Sequence, residues 1–352
     1  MWLALLPVFI IAVYAVECVV SEGFYHPDEH FQIVEFAQWK LGNSTSASVA
    51  WELPSHIRPT LQPCLCVCVF RLCRLCGIES PFVQDFVLRL IAICVSLAAM
   101  TAFYKANIKF VDAKCRSTYL FVSFLLWFLP AVNVRFSSET MSGAFLLMCL
   151  SMVVRLDEKP SRSDVVVGIL AGLSFAFRYQ VAFGLAGILV WALAVKRYSW
   201  RKYVLFALGF LAVTAACTLI DSWFYGEWLF VPYRYFKVNI LDGVASSFGE
   251  TPWYGYLVMI LCRPTLVIGV AVMGSICLAV FCHGKHPAVW CIVAFIVGHS
   301  FVAHKELRFL FPIVNIVPLL LVWFIEKMMT YKIASRCLCV VFIVVNLGGL
   351  LM

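Results

Sequence analysis

The chain has 352 residues, of which 63% are hydrophobic and only 13% charged, whereas soluble domains are nearer a quarter charged. This composition excludes an ordinary soluble globular protein. The net charge of +8 does not indicate nucleic acid, because the bases lie in short loops between apolar runs. Apolar runs of about 17–25 residues recur along the whole length, and each can cross about 30 Å of hydrocarbon. The sequence therefore predicts an all-α polytopic membrane protein, with residues 1–352 forming a single integral membrane domain.

The apolar runs predict about eleven transmembrane helices, at roughly 2–20, 84–104, 117–133, 139–154, 164–178, 180–195, 203–223, 255–282, 288–303, 309–326 and 337–351. The first run lacks the basic region and small-residue cleavage site of a signal peptide, so we interpret it as a retained span. The stretch 62–76 is short, contains Arg71 and Arg74, and ends at Gly77. It predicts an amphipathic, outer juxtamembrane helix at the interface.

The charges orient these predicted spans. With the N-terminus inside, the cytoplasmic loops are short and rich in Lys and Arg, as the positive-inside rule expects. Most carboxylates then fall on the other face: Asp28, Glu29, Glu35, Glu52, Glu139, Asp221, Glu227, Asp242, Glu250 and Glu306. This bias predicts a functional site on the non-cytoplasmic face, with its central motif in the first outer region, 21–83.

The motif His26-Pro27-Asp28-Glu29 directly follows the first span. The run 28–41 predicts a helix whose first turn holds both carboxylates, where the helix dipole favours negative charge. We expect Phe31, Val34 and Leu41 to line its apolar face. Two readings remain open at this point: the acids cap the helix, or they carry chemistry at the membrane surface.

A second polar cluster, His304-Lys305-Glu306-Leu307-Arg308, lies between two strongly apolar runs. It can form a structural ion network. It can also bind a phosphate, since Arg offers a planar fork and Lys a point charge. The two readings are compatible if Glu306 holds the bases in place. Glu139 and Arg178 also interrupt apolar sequence, where ionisable groups are costly and are functional candidates by default.

Four segments resemble, in order, motifs of glycosyltransferase family 22: HPDEHFQ at 26–32, WELPSHIRPTLQP at 51–63, IDSWFYGEW at 220–228 and HKELRFLFP at 304–312. The resemblance implies the multi-spanning C-type glycosyltransferase fold. Members of this family include mannosyltransferases that use polyprenyl-phosphate mannose as donor. Among them are the enzymes that build glycosylphosphatidylinositol anchors and the N-glycan precursor, and the chain resembles these. It implies a multi-pass protein of the bacterial inner membrane or the endoplasmic reticulum membrane.

The same resemblance implies an inverting transfer of mannose from dolichyl or undecaprenyl phosphate to a membrane-bound glycan or glycolipid. Asp28 is then the expected general base, with Glu29 positioning acceptor hydroxyls or tuning Asp28 through like-charge repulsion. The expected donor-phosphate ligands are Lys305, Arg308, His304 and Arg178. The expected acceptor or supporting residues are His26, Glu139, Glu52, Arg58 and Glu306. No cofactor is expected, and no metal, because no His/Cys set has zinc spacing.

The main rival is a lipid-linked sugar transporter or flippase. Such a protein places ionisable groups near the bilayer midplane, often on broken helices. Arg263-Pro264 is the only sequence position of that kind. The other polar residues gather at one face, and this asymmetry favours an enzyme that works at the membrane surface.

Overall fold

The computed structural model describes residues 2–21, 23–45, 49–330 and 342–350, and within these ranges it is built from helices and loops without a β-strand. This suits a chain in hydrocarbon, where a helix satisfies its backbone polar groups internally. The longer helices are Trp2–Val20, Leu61–Leu75, Pro81–Asn107, Arg116–Leu125, Ser138–Val153, Arg162–Phe177, Ala182–Trp191, Trp200–Tyr225, Leu266–Cys282, Pro287–Ser300 and Val317–Met328.

Three described stretches are long and apolar enough to cross a membrane: Pro81–Phe110, Tyr179–Lys196 and Trp200–Tyr225. The pair Leu307–Val314 and Val317–Met328 makes a fourth if its 72° bend lies within one span. Shorter apolar helices occupy most other predicted spans, and the last one, 337–351, lies partly outside the described residues. The helical membrane architecture is as predicted, whereas the number of eleven spans is not confirmed.

Three predicted spans are not continuous helices. The span 117–133 divides into Arg116–Leu125 and Phe128–Asn133, and 255–282 into Gly255–Cys262 and Leu266–Cys282. The span 309–326 bends between Val314 and Val317. These three spans stay predictions, and their interruptions were not visible in the sequence because hydropathy reports apolar length and does not report whether a helix is interrupted.

The Asn346 side chain satisfies backbone groups at one of these interruptions, and a pair of asparagine side chains joins Asn133 to the bend at Asn315. Asn346 accepts from the Trp127 amide and donates to the Leu125 carbonyl, both at 2.8 Å. Asn133 and Asn315 exchange two side-chain hydrogen bonds of 2.9 Å. Broken backbone at membrane depth is tolerated where protein groups of this kind replace the lost hydrogen bonds.

Helices Arg162–Phe177 and Trp200–Tyr225 touch through their backbones. A Cβ on Gly168 would lie 2.1 Å from the Phe206 carbonyl oxygen, and one on Gly209 would lie 2.2 Å from that of Val165. Small residues permit such close packing between helices in a membrane. At the N-terminal ends of the same two helices, Lys202 Nζ lies 2.9 Å from Asp164 Oδ1, and both side chains are fully buried.

The helix after the first span begins at Pro27 and continues to Lys40, as predicted. Of its predicted apolar stripe, Val34 and Leu41 pack against a buried cluster that contains Ile33 and Ala37, whereas Phe31 is 46% exposed and was predicted wrongly. Residues His30–Val34 form a π-helical turn, and its extra residue rotates the following side chains around the axis. The juxtamembrane helix predicted at 62–76 is Leu61–Leu75; its buried residues include Cys66 and Phe70, and its interfacial position stays a prediction.

Candidate active site

The two polar clusters, almost 280 residues apart in sequence, meet at one end of the helix bundle. Arg308 Nη2 lies 2.7 Å from Asp28 Oδ2. His26 Nε2 lies 3.3 Å from Glu306 Oε2. The geometry therefore joins the Asp28 motif to the second cluster directly, through two separate side-chain contacts.

Arg308 is the centre of this arrangement. Its guanidinium contacts three carboxylates, those of Asp28, Glu306 and Glu139, the last at 3.5 Å. The residue is only 7% exposed. Burial alone would raise the pKa of Glu306, but hydrogen bonds and charge from Arg308 and His304 lower it to about 2. Charge neutralisation of this kind keeps several ionised groups stable in a partly dehydrated site.

Glu139 connects Arg308 to Arg178. Its Oε1 lies 3.0 Å from Arg178 Nη1, and both side chains are about 95% buried. Ser138 lies between them, accepting from Arg178 and donating to Glu139, each at 3.0 Å. Ser137 caps the helix by accepting from the Thr140 amide at 3.1 Å. The cap places Glu139 in the first helical turn, where it faces both arginines.

Asp28 and Glu29 occupy different environments. Burial alone would raise the pKa of Asp28, but the charges of Arg308 and Arg58 hold it below its usual range. His26 supports the turn, because its Nδ1 accepts from the Asp28 amide at 3.2 Å. Glu29 is 8% exposed and accepts only a long contact of 3.4 Å from the Tyr25 amide. Its burial raises its pKa to about 7.

The raised pKa of Glu29 predicts a pH-dependent stability. Its folded pKa of about 7 exceeds the ordinary 4.5, so the protonated form favours folding. This contribution is complete below pH 4.5 and is lost as the pH rises through 7. We expect about 2 kcal/mol to be lost between pH 5 and 8, and Glu29→Gln to remove that dependence. Thermal unfolding in detergent measures it.

The control for this prediction is Glu79→Gln, which changes an exposed carboxylate. It should leave the parental pH dependence of the unfolding temperature in place. If the Glu29→Gln protein shows the same fall in unfolding temperature from pH 5 to pH 8 as the parent, Glu29 does not titrate near 7 in the folded state.

Glu52 and Arg58 flank the helix that carries Asp28. Glu52 Oε1 accepts from Gln32 Nε2 at 2.9 Å and lies 3.3 Å from Arg58 Nη2. Gln32 was missed by the sequence reasoning, although its place four residues after Asp28 was an available signal. Both predicted supporting residues are therefore close to the motif, and Arg58 acts on Asp28 through its charge.

Lys305 stands apart from the carboxylates. Its Nζ donates to the carbonyl oxygens of Thr251 and Val302, at 2.9 and 2.6 Å. These bonds fasten the segment before Gly255 to the loop that carries the second cluster. His304, by contrast, joins the network, with Nε2 at 2.8 Å from Glu306 Oε1. The structure thus brings Arg308 to Asp28 and links His304 to them through Glu306, whereas Lys305 bonds two backbone carbonyls and its role as a phosphate ligand stays a prediction.

A cavity of about 230 Å³ adjoins this network and is lined mainly by apolar side chains. Its walls include Tyr25, Trp127, Phe128, Val132, Arg135, Ile260, Arg263, Ile276, Ile296, Leu307, Leu310 and Val314. Leu307 lines it while its neighbour Arg308 contacts Asp28. Arg135, an ionisable residue in apolar sequence like Glu139, also donates to the Gly23 carbonyl at 2.8 Å, which holds the loop before the motif.

Comparison with solved structures identifies the fold. ArnT from Cupriavidus metallidurans, in a crystal structure with undecaprenyl phosphate, matches with a TM-score of 0.70 over 93% of this chain and 60% of that chain. The identity is 13%, so the likeness concerns the fold alone. The same protein in its apo state matches with a TM-score of 0.60. The chain thus has the C-type glycosyltransferase fold that its motifs predicted.

Sequence comparison gives the family. GPI alpha-1,2-mannosyltransferase 3 of Bos taurus is 22% identical over 342 residues, covering 93% of this chain and 60% of that protein. Mannosyltransferase APTG1 of Arabidopsis thaliana is 24% identical over 328 residues, covering 88% and 56%. The chain therefore spans less than two thirds of the length of these relatives. The model of the Alg9-like mannosyltransferase family matches residues 5–352, and the chain belongs to that family.

Proposed function

We propose that this chain transfers mannose from a polyprenyl phosphate to a hydroxyl of a membrane-bound glycan or glycolipid, on the non-cytoplasmic face. One observation carries the proposal: Asp28 lies 2.7 Å from Arg308, whose sequence neighbour Leu307 lines an apolar cavity. A base, a cation for phosphate and a place for a lipid tail are thereby adjacent. The family membership supports mannose as the sugar.

The apolar cavity is the proposed site of the donor lipid. Ligand pockets are typically apolar, with a few polar groups that fix orientation. Here the polar groups include the guanidinium of Arg135, at the wall next to Tyr25. A polyprenyl chain in the cavity would bring its phosphate towards Arg135 and Arg308. The ArnT structure of the same fold contains undecaprenyl phosphate, which supports this class of lipid.

The proposed reaction is a single displacement. The Asp28 carboxylate takes the proton from the acceptor hydroxyl while that oxygen bonds to the anomeric carbon. The bond from this carbon to the phosphate oxygen breaks, and the lipid phosphate leaves with the electron pair. Arg308 stabilises the charge that develops on it. One carboxylate is enough for this inverting route, whereas glycoside hydrolysis requires two flanking the bond.

The acceptor that we propose is a mannose-containing glycolipid. Several relatives are named GPI alpha-1,2-mannosyltransferase 3, in cattle, zebrafish and human. Their names support a glycolipid of the glycosylphosphatidylinositol type. Arg178, Glu139 and Glu52 are the residues we propose to support substrate binding through the network described above.

Reconstituted protein with radiolabelled dolichyl-phosphate mannose and a panel of mannosylated glycolipids tests the function. We expect label in the acceptor and release of dolichyl phosphate, with the product identified by mass. Ile276 lines the cavity, so Ile276→Trp should fill part of it and raise the KM for the donor. Val280 lies one helical turn further along and is half exposed, so Val280→Trp should leave that KM unchanged. Movement of the labelled lipid across vesicles without transfer would establish the transporter instead.

A further inference from the structure

Two large aromatic rings from distant loops stack together at the mouth of the candidate site. Trp51 and Phe248 lie with ring centroids 6.2 Å apart and an interplanar angle of 21°. Both remain in contact with solvent, since Trp51 is 40% and Phe248 57% exposed. Paired exposed aromatics of this kind mark a binding surface more often than single ones do. We call the two rings the aromatic pair.

The aromatic pair is connected to Asp28 from two directions. The Phe248 ring is 6.1 Å from that of His304, which contacts Glu306 in the Arg308 network. On the other side, Glu52 follows Trp51 in sequence and accepts from Gln32, on the helix that carries Asp28. Two independent chains of contacts therefore fix the rings relative to the proposed base.

We propose that the aromatic pair binds a pyranose ring of the acceptor glycan. The proposal rests on the proposed function, since it assigns a subsite of the same reaction. A hexopyranose has an apolar C–H face and hydroxyl edges, so it can stack on an aromatic ring while its hydroxyls stay in water. Rigid aromatic side chains supply contact area at low entropic cost.

The location separates this subsite from the donor. The aromatic pair shares no side chain with the walls of the apolar cavity proposed for the donor lipid. The two substrates would therefore contact different residues, with the Arg308 network touching the aromatic pair through His304 and next in sequence to the cavity wall at Leu307. Weakening the aromatic pair should change the use of the acceptor and leave the use of the donor unchanged.

Binding of α-mannobiose to the reconstituted protein, without donor, tests the proposal by calorimetry. We expect Trp51→Ala and Phe248→Ala each to weaken binding about tenfold, which corresponds to ~1.4 kcal/mol. Trp51→Phe should restore most of the affinity, because it keeps a ring. Trp253→Ala removes an exposed tryptophan outside the pair, and this variant should bind as the parent does. Sorbitol, which has no pyranose ring, should not bind.

Transfer assays add a second readout: the KM for the acceptor should rise in the two alanine variants, while the KM for the donor stays constant. Parental affinity for α-mannobiose in both alanine variants would overturn the proposal and leave the rings as membrane-interface aromatics. A parent that does not bind the sugar would overturn it as well. Ring-dependent binding without any mannose transfer would uphold the subsite and overturn the proposed function.

Discussion

Replacing Asp28 with asparagine should lower the rate of mannose transfer by about 10²–10⁴-fold, the usual contribution of a general base. Asparagine keeps the shape of the side chain and can still contact Arg308, but it cannot take a proton. The fold and the binding of donor lipid should therefore persist. Transfer of radiolabel under saturating donor and acceptor measures the effect, with the unfolding temperature recorded in parallel.

The matched control is Glu35→Gln, on the same helix and with the same 23% side-chain exposure as Asp28. It should transfer mannose at nearly the parental rate. The pH profile adds a separate check. Because Asp28 has a pKa below its usual range, the parental rate should not fall through that group between pH 8 and 5. A fall centred near pH 7 that disappears in Glu29→Gln, together with an active Asp28→Asn, would assign the base to Glu29.

Replacing Lys202 with alanine should lower the free energy of unfolding by about 3–5 kcal/mol, the range for breaking a buried ion pair. The change leaves the Asp164 carboxylate without its cation in a position where both side chains are 0% exposed. It also leaves the Asp157 carbonyl, 2.5 Å from Lys202 Nζ, without its donor. Denaturant unfolding in detergent, followed by a helix-sensitive signal, measures the loss.

Arg201→Ala is the control, because Arg201 is the base next to Lys202 in sequence and is exposed. Its removal should lower the free energy of unfolding very little. A second variant, Lys202→Met with Asp164→Asn, removes both charges and keeps an oxygen for the Ser161 amide, which bonds Asp164 at 2.8 Å. It should recover much of the lost stability, since neutral replacements of buried pairs are tolerated. If Lys202→Ala and Arg201→Ala unfold alike, the pair does not stabilise the fold.

Much of the candidate site was predictable because its residues are ones that hydrocarbon tolerates poorly. Asp28, Glu139 and Arg308 are ionisable residues beside apolar runs, which makes them conspicuous in the sequence. The distribution of Lys and Arg among the loops predicts that all three lie on the same face of the membrane. Local rules also predicted the helix that begins at Pro27. What the sequence could not provide is pairing, so the choice of Arg308 as the partner of Asp28 required the structure.

Other features depend on contacts between distant segments and were therefore inaccessible. The division of 117–133 is stabilised by Asn346, more than 200 residues further along. The ammonium of Lys305 meets two backbone carbonyls, which no side-chain pattern reveals. The wrong prediction that Phe31 lies on the apolar face has a local cause. A π-helical turn at His30–Val34 breaks the 3.6-residue period on which that prediction relied.

The pairing of Arg308 has a consequence for which sugar phosphates can enter. The carboxylates of Asp28, Glu139 and Glu306 all contact its guanidinium group. A water-soluble sugar nucleotide or free phosphate would have to compete with these carboxylates for an arginine that is already paired. A lipid-linked anion has a further source of affinity, about 0.8 kcal/mol for each methylene group it buries. Under the proposed function, we therefore expect the resting ion pairs to disfavour soluble donors more than membrane-borne ones.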